Sequence, residues 1–165
     1  MVQEYVTRLY APAAAAHRAL GPAEARALAA WKARVRGAWP KVSVDHVEIG
    51  DGLEDAELGA TPAVRVRVSL GELTPDDVEV QAVTGRVDPD DRLLDPRTTV
   101  LKPAAGPDLE GRVPYGGALS LDRTGPFGCT VRVLPAHPLL AHPAEPGLLA
   151  LPAETNAENG GVILR

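Results

Sequence analysis

The stretch Val64-Arg65-Val66-Arg67-Val68-Ser69-Leu70 alternates strictly between apolar and polar side chains. Because successive side chains of a β-strand point to opposite faces of a sheet, this period of two predicts a strand with one buried face and one wet face. Similar runs cover residues 42–49, 78–83, 97–102, 118–121 and 129–134. Turn-rich segments rather than helices separate them, which favours antiparallel pairing. The pattern predicts an immunoglobulin-like β-sandwich of about six or seven strands.

Two helices are predicted ahead of these strands, so the fold class is α+β. Apolar residues recur every three or four positions across residues 1–20, which is the spacing of one helix face. Gly21 and Pro22 then mark the end of one helix and the start of the next. The second helix is expected to end near Trp39, because Pro40 disfavours a helical residue before it. Its predicted core-facing stripe comprises Leu28, Trp31, Val35 and Trp39.

The chain of 165 residues has the length of one structural domain. Within it we expect a helical pair at residues 1–40 that packs on a sandwich at residues 41–154. A short edge strand is predicted at residues 147–151, inside a proline-rich stretch. Residues 155–165 combine Asn, Glu and Gly without an apolar period, so we expect a mobile tail there.

Composition excludes several classes of partner. A net charge of -5 argues against nucleic acid, whose binding requires clustered Lys and Arg. No segment approaches the ~20 apolar residues of a membrane span, and the first residues do not resemble an export signal. The single cysteine, Cys129, lies in an apolar alternating run and is expected to be a buried free thiol, which fits a cytoplasmic protein.

The histidines do not form a pattern typical of a metal site. His137 and His142 lie five positions apart among prolines, with only Glu145 as a nearby carboxylate. His17 falls on a predicted helix, where a surface or capping role is expected, and His46 falls on a predicted strand. No metal ligand is therefore predicted.

No catalytic residue is predicted either. The acidic pairs Asp76–Asp77, Asp90–Asp91 and Glu54–Asp55 all lie in turn-like contexts, where Asp is favoured as a solvated side chain. The glycine-rich run at residues 111–117 lacks the following helix of a phosphate-binding loop, so it is interpreted as a hairpin or a bulge. We expect Tyr115, within that run, to pack on the sandwich or to cap it.

Three segments stand out: MVQEYVTRLYAPA (1–13), AWKARV (30–35) with Trp39, and VRVLPAHP (131–138). Together they resemble the carboxyl-terminal region of bacterial α-glucan (glycogen or maltodextrin) phosphorylases, and their order and spacing also match. The run LGELTPDDVEV (70–80) is similar to the family too, and the resemblance covers about residues 1–152. It implies a parent enzyme that cleaves α-1,4-glucan with inorganic phosphate to release glucose 1-phosphate.

The resemblance also implies where the chemistry of such an enzyme is located. The phosphate of pyridoxal phosphate serves the family as the acid-base group, and the cofactor lysine lies in upstream α/β domains. None of Lys32, Lys41 and Lys102 matches that lysine, so no cofactor is expected in this chain. We therefore expect a non-catalytic accessory domain, with the parent's catalytic domains as its partner and α-glucan as a further candidate.

The first predicted helix has a broad apolar stripe for a single helical partner. Because surplus apolar surface commonly marks an interface, we expect this stripe to dock on the catalytic domain of the parent. The docking residues are Val2, Tyr5, Val6, Leu9 and Tyr10. The alternative is an independent immunoglobulin-like module that binds a glycan or a protein, and an upstream reading frame of phosphorylase type would discriminate against it.

Overall fold

The structure is a computed structural model, and it describes residues 14, 21–50, 61–88, 92–120, 127–152 and 162–164. These residues form helix α1 (Pro22–Ala38), two short 3-10 helices (Trp39–Lys41 and Pro75–Asp77) and seven strands. The strands are β1 (Ser43–Ile49), β2 (Ala63–Ser69), β3 (Val78–Val87), β4 (Leu93–Pro103), β5 (Arg112–Ala118), β6 (Phe127–Pro135) and β7 (Val162–Leu164). The predicted α+β class is confirmed. In the described ranges, no helix has the length and apolar character that crossing a bilayer requires.

Helix α1 begins at Pro22, directly after Gly21, as the sequence predicts. It ends at Ala38, and the chain continues into the 3-10 turn that holds Pro40. The predicted stripe is confirmed, because Leu28, Trp31, Val35 and Trp39 are all buried. The first predicted helix lies outside the described residues except for Ala14, which is helical.

The strands follow the order β1-β2-β5-β4-β3-β6-β7, and every neighbouring pair is antiparallel. Strand β4 pairs with β3 along most of its length but with β5 only through Lys102 and Pro103. It therefore carries the sheet round from the half formed by β1, β2 and β5 to the half formed by β3, β6 and β7.

A short segment after β6 forms bridges to strands on both sides of the sheet. Ala150 forms an antiparallel bridge with Val133 of β6, and Pro152 forms a parallel bridge with Val44 of β1. The sheet is consequently curled almost into a barrel. The edge strand predicted at residues 147–151 is present only as this bridged segment. Pro146 and Pro152, on either side of it, lack the backbone N–H that a longer ladder needs.

The core is built mainly from valine, and its fully buried side chains come from the strands, from α1 and from the residue that follows β5. Val64, Val66 and Val68 of β2 point inward, while the residues between them are partly or fully exposed. The largest fully buried side chains include Val35, Val64, Val66, Val68, Val80, Leu101, Leu119, Val131 and Val133. Packing of the β-branched valines of the strands on a pleated surface stabilises the sheet.

Strand β5 corrects two expectations. The strand predicted at residues 118–121 is wrong in position, since β5 ends at Ala118. The interpretation of residues 111–117 as a hairpin or a bulge is also wrong, because residues 112–117 pair continuously with β2 and only Gly111 lies in the preceding turn. Only Val113 and Tyr115 show the alternation, because Pro114 and the two glycines after Tyr115 interrupt the apolar-polar pattern. Tyr115 is buried, as expected.

Strand β7 lies within residues 155–165, where it pairs with the first residues of β6. The mobility of that segment and the boundaries at residues 40 and 154 stay predictions.

The register shift in β3 provides a test of the sheet. The shift lies between Thr84 and Arg86, and a Cβ atom on Gly85 would lie 2.6 Å from the carbonyl oxygen of Leu94. Gly85→Ala should therefore lower the free energy of unfolding by about 2 kcal/mol, as overpacking does. The measurement is urea denaturation followed by circular dichroism.

Gly37→Ala is the matched control, because a Cβ atom at this position of α1 meets nothing within 4 Å. It should raise the free energy of unfolding by up to ~1 kcal/mol, since alanine is the better helix former. Shifts of the same sign in the two variants would contradict the described packing.

Candidate functional site

The carboxylate of Asp77 joins three parts of the chain. Asp77 ends the 3-10 helix that precedes β3, and Thr74 donates to its Oδ2 through the backbone N–H (3.0 Å) and the hydroxyl (2.9 Å). Trp31 Nε1 of α1 donates to Oδ1 at 2.8 Å. Arg34 of α1 donates from both terminal nitrogens, at 2.5 and 3.1 Å. The peptide oxygen of Asp77 accepts from the N–H of Ala136, just after β6.

These contacts decide the charge of the group. Burial alone would raise the pKa of the Asp77 carboxyl, but the hydrogen bonds from Arg34, Thr74 and Trp31 outweigh burial and hold its pKa well below its ordinary value. Asp77 is therefore ionised at neutral pH. Because its acceptor capacity is taken up by structural partners, it has no lone pair poised for general base chemistry.

The expectation that the acidic pair Asp76–Asp77 is solvated is wrong for Asp77, which is 6% exposed. Asp76 is exposed as predicted. The reason for the error is distance along the chain, since Trp31 and Arg34 lie 46 and 43 residues away from Asp77. No local sequence pattern predicts partners so far apart in the chain.

A second set of contacts ties the proline-rich segment after β6 to α1. The ring of His137 lies 4.7 Å from that of Trp31, centroid to centroid, at an interplanar angle of 45°. Lys32 Nζ forms an ion pair with Glu145 Oε1 at 2.6 Å. His137 Nδ1 accepts from the N–H of Leu139, so this histidine has structural partners. His142 Nδ1 likewise accepts from the N–H of Ala144.

The remaining residues considered for metal binding, catalysis or docking form no site among the described residues. No cluster of three His, Cys, Asp or Glu side chains suited to a metal ion occurs among the described residues. The other candidates lie outside the described residues: Glu54, Asp55, Asp90, Asp91, His17 and the docking residues Val2, Tyr5, Val6, Leu9 and Tyr10.

A cleft of about 280 Å³ lies on the outward face of β1, β2 and β5. Register brings its polar residues together, since Arg67 pairs with His46 on one side and Arg65 pairs with Glu48. On the other side of β2 the same two arginines lie beside Pro114 and Gly116 of β5. The outward-facing lining is His46, Glu48, Arg65, Arg67, Ala104, Pro114 and Gly116.

The sequence contained one signal of this cleft, the outward pair of arginines in β2. Two other features of the cleft depend on strand pairing and could not be predicted from the sequence. The pairing of β2 with β5 places small residues beside those arginines. The register shift between Val44 and His46 turns His46 to the outward face, because strict alternation from Val44 would point it into the core.

Comparison with known proteins gives two results. The sequence model of the family described as "Glycogen phosphorylase C-terminal domain" matches residues 39–153. Proteins named glycogen phosphorylase from Mycobacterium tuberculosis, strains CDC 1551 / Oshkosh and ATCC 25618 / H37Rv, and from Mycobacterium bovis are each 42% identical over 155 residues. Each match covers 92% of this chain and 18% of the relative. The chain thus spans under a fifth of the length of these relatives.

Removal of the Asp77 charge tests the contact between α1 and the sheet. Asp77→Asn keeps the size of the side chain but leaves Arg34 without its anionic partner. Because the Arg34 side chain is 51% exposed, water screens part of the loss. We expect the free energy of unfolding at pH 7 to fall by about 2 kcal/mol, less than for a fully buried pair. The control is Glu72→Gln, which removes an exposed ion pair with Lys41 and should leave stability unchanged.

The difference in free energy of unfolding between wild type and Asp77→Asn should depend on pH. The folded-state pKa of Asp77 lies below its unfolded value of ~4, so the stability from its charge is complete above about pH 5. That stability is lost as pH falls through ~4 toward the folded-state pKa. The difference between wild type and Asp77→Asn should therefore shrink in acid, and a constant difference from pH 7 to ~2 would contradict the assignment.

Proposed function

This chain belongs to the family of glycogen phosphorylase C-terminal domains, and we propose that it serves as the non-catalytic accessory domain of an α-glucan phosphorylase. The observation that carries the proposal is the match at 42% identity over 92% of the chain, together with the family match over residues 39–153. The proposed parent reaction is the phosphorolysis of α-1,4-glucan to glucose 1-phosphate. An independent binding module is not favoured, because the resemblance to phosphorylases runs through nearly the whole chain.

The potential nucleophiles of the described residues support a non-catalytic role. Burial raises the pKa of the Cys129 thiol to about 12 and, together with the charge of Asp76, raises that of the Tyr115 hydroxyl to about 12. Neither group forms its anion readily at neutral pH, so neither is activated for nucleophilic or base chemistry.

The lysines of this chain do not fit a pyridoxal phosphate site. Such a lysine must be enclosed with the cofactor and free to form a Schiff base. Lys32 is held by Glu145, Lys41 by Glu72, and Lys102 is exposed on β4. Our proposal therefore assigns the cofactor to upstream domains of the parent and no step of the chemistry to this chain.

The strand order supports a finer description of the architecture. The sequence β1-β2-β5-β4 corresponds to strands A, B, E and D of a constant-type immunoglobulin sandwich, and β3-β6-β7 corresponds to C, F and G. We propose that the curled sheet is an immunoglobulin-like sandwich in which β4 passes between the two layers.

We propose that a helix ahead of α1 forms a helical pair with it. Ala14 is helical, and Gly21 and Pro22 mark the boundary between that segment and α1. Residues Val2, Tyr5, Val6, Leu9 and Tyr10 of that segment would then dock on the catalytic part of the parent, which makes assembly the main role of the domain.

Two further elements of the proposal concern glucan and location. The three aromatic rings whose side chains are described, Trp31, Trp39 and Tyr115, are all buried and offer no platform for a neutral sugar. Contact with α-glucan therefore receives little support from this part of the chain. A cytoplasmic location is proposed because the described cysteine, Cys129, is a free and buried thiol.

An activity assay tests the non-catalytic role. The purified chain of 165 residues, incubated with pyridoxal phosphate, maltoheptaose and inorganic phosphate, should release no glucose 1-phosphate above a protein-free blank. A mycobacterial glycogen phosphorylase is the positive control. Turnover that copurifies with the folded chain would overturn the proposal.

A further inference from the structure

We propose that the cleft on β1, β2 and β5 binds a small phosphate monoester with a hydroxylated body, that is, a sugar phosphate. The cleft volume of about 280 Å³ lies close to the lower end of the small-molecule range, ~300 Å³ upward. The proposal goes beyond the accessory role, because it depends only on the chemistry of the cleft.

Two guanidinium groups give the cleft its affinity for an anion. Arg65 and Arg67 lie two positions apart on β2, so they share one face at a spacing of ~7 Å. Arg67 forms no ion pair within the described ranges, and Arg65 has only a long contact of 3.5 Å with Glu48. Each guanidinium can donate two parallel hydrogen bonds to phosphate oxygens. Against the single carboxylate of Glu48, the two arginines leave the lining with an excess of positive charge, in a chain whose net charge is -5.

The other polar side chains suit the hydroxylated body of the ligand. The register shift in β1 places His46 directly beside Arg67, where its ring can donate from one nitrogen and accept at the other. Glu48 lies beside Arg65 and accepts hydrogen bonds from hydroxyl groups. A bare phosphate would use only the arginines, whereas a sugar phosphate would use all four groups.

The floor of the cleft is small and apolar. Pro114 and Gly116 of β5 and Ala104 after β4 form it. A Cβ atom on Gly116 would lie 3.6 Å from the carbonyl oxygen of Val64 and 3.9 Å from Ala104 Cβ, so a larger side chain would occupy the floor without a clash at its base. The C–H face of a sugar ring can pack there. Because the Tyr115 ring is 2% exposed, no aromatic surface is available, and affinity must come from the phosphate.

Titration of the 165-residue chain tests this proposal, with isothermal calorimetry or NMR shift changes as the readout. The probes are glucose 1-phosphate, inorganic phosphate and maltotriose. We expect saturable binding of glucose 1-phosphate, binding of inorganic phosphate at least fivefold weaker, and no binding of maltotriose. Added salt should weaken the binding, since the ligand is held by charge.

Two variants and a matched control locate the site. Arg67→Gln should weaken the binding of glucose 1-phosphate at least tenfold. Gly116→Val should weaken it comparably with no change in charge, because the side chain fills the floor. Arg26→Gln is the control, since it removes the same charge from an exposed position on α1 and should leave affinity unchanged.

Each alternative result overturns the proposal. Absence of saturable binding to the folded wild type removes the site. Equal losses in Arg26→Gln and Arg67→Gln would show general charge attraction. Equal affinity for inorganic phosphate and glucose 1-phosphate would show an anion site without sugar recognition. These results leave the accessory role unaffected, because that role is tested by turnover rather than by binding.

Discussion

The buried carboxylate of Asp77 is the interaction on which the arrangement of helix and sheet depends. A charge that is largely withdrawn from water must be compensated by hydrogen bonds and an opposite charge. Here the donors come from Thr74 before β3 and from Trp31 and Arg34 of α1. Together they fix both the position of α1 along the sheet and its rotation about its own axis. With that rotation, Val35 points into the valine core, where it is fully buried.

The parts of the fold that could be predicted are those with a local pattern. The alternation from Val64 to Val68 identifies β2, and the stripe from Leu28 to Val35 identifies the buried face of α1. Strand β5 escaped prediction because proline and glycine interrupt its alternation. The role of Asp77 could not be predicted, since its partners are more than forty residues away in the chain. The cleft could not be predicted either. It requires the pairing of β2 with β5, whose alternation is interrupted, and the register shift beside His46, which no local pattern shows.

Family membership and side-chain chemistry support the same function. The chain matches phosphorylase sequences, yet it covers only 18% of the relatives' length, and its described cysteine and tyrosine side chains are buried. We propose that such a domain contributes surfaces rather than chemistry. Two surfaces follow from the structure and the sequence: an apolar stripe proposed to join the catalytic part, and a basic cleft proposed to bind a sugar phosphate. The first depends on residues 1–10, and the second on the outward face of β2.

Hydrogen exchange of the isolated chain, followed by mass spectrometry, tests the accessory role most directly. Amides of α1 from Trp31 to Val35 should be protected as strongly as those of β2, because Asp77 locks the helix to the sheet. Amides of residues 1–10 should exchange much faster, since their proposed partner is absent. Protection of residues 1–10 equal to that of β2 would contradict the account, because the proposed docking stripe would then be buried within the domain itself.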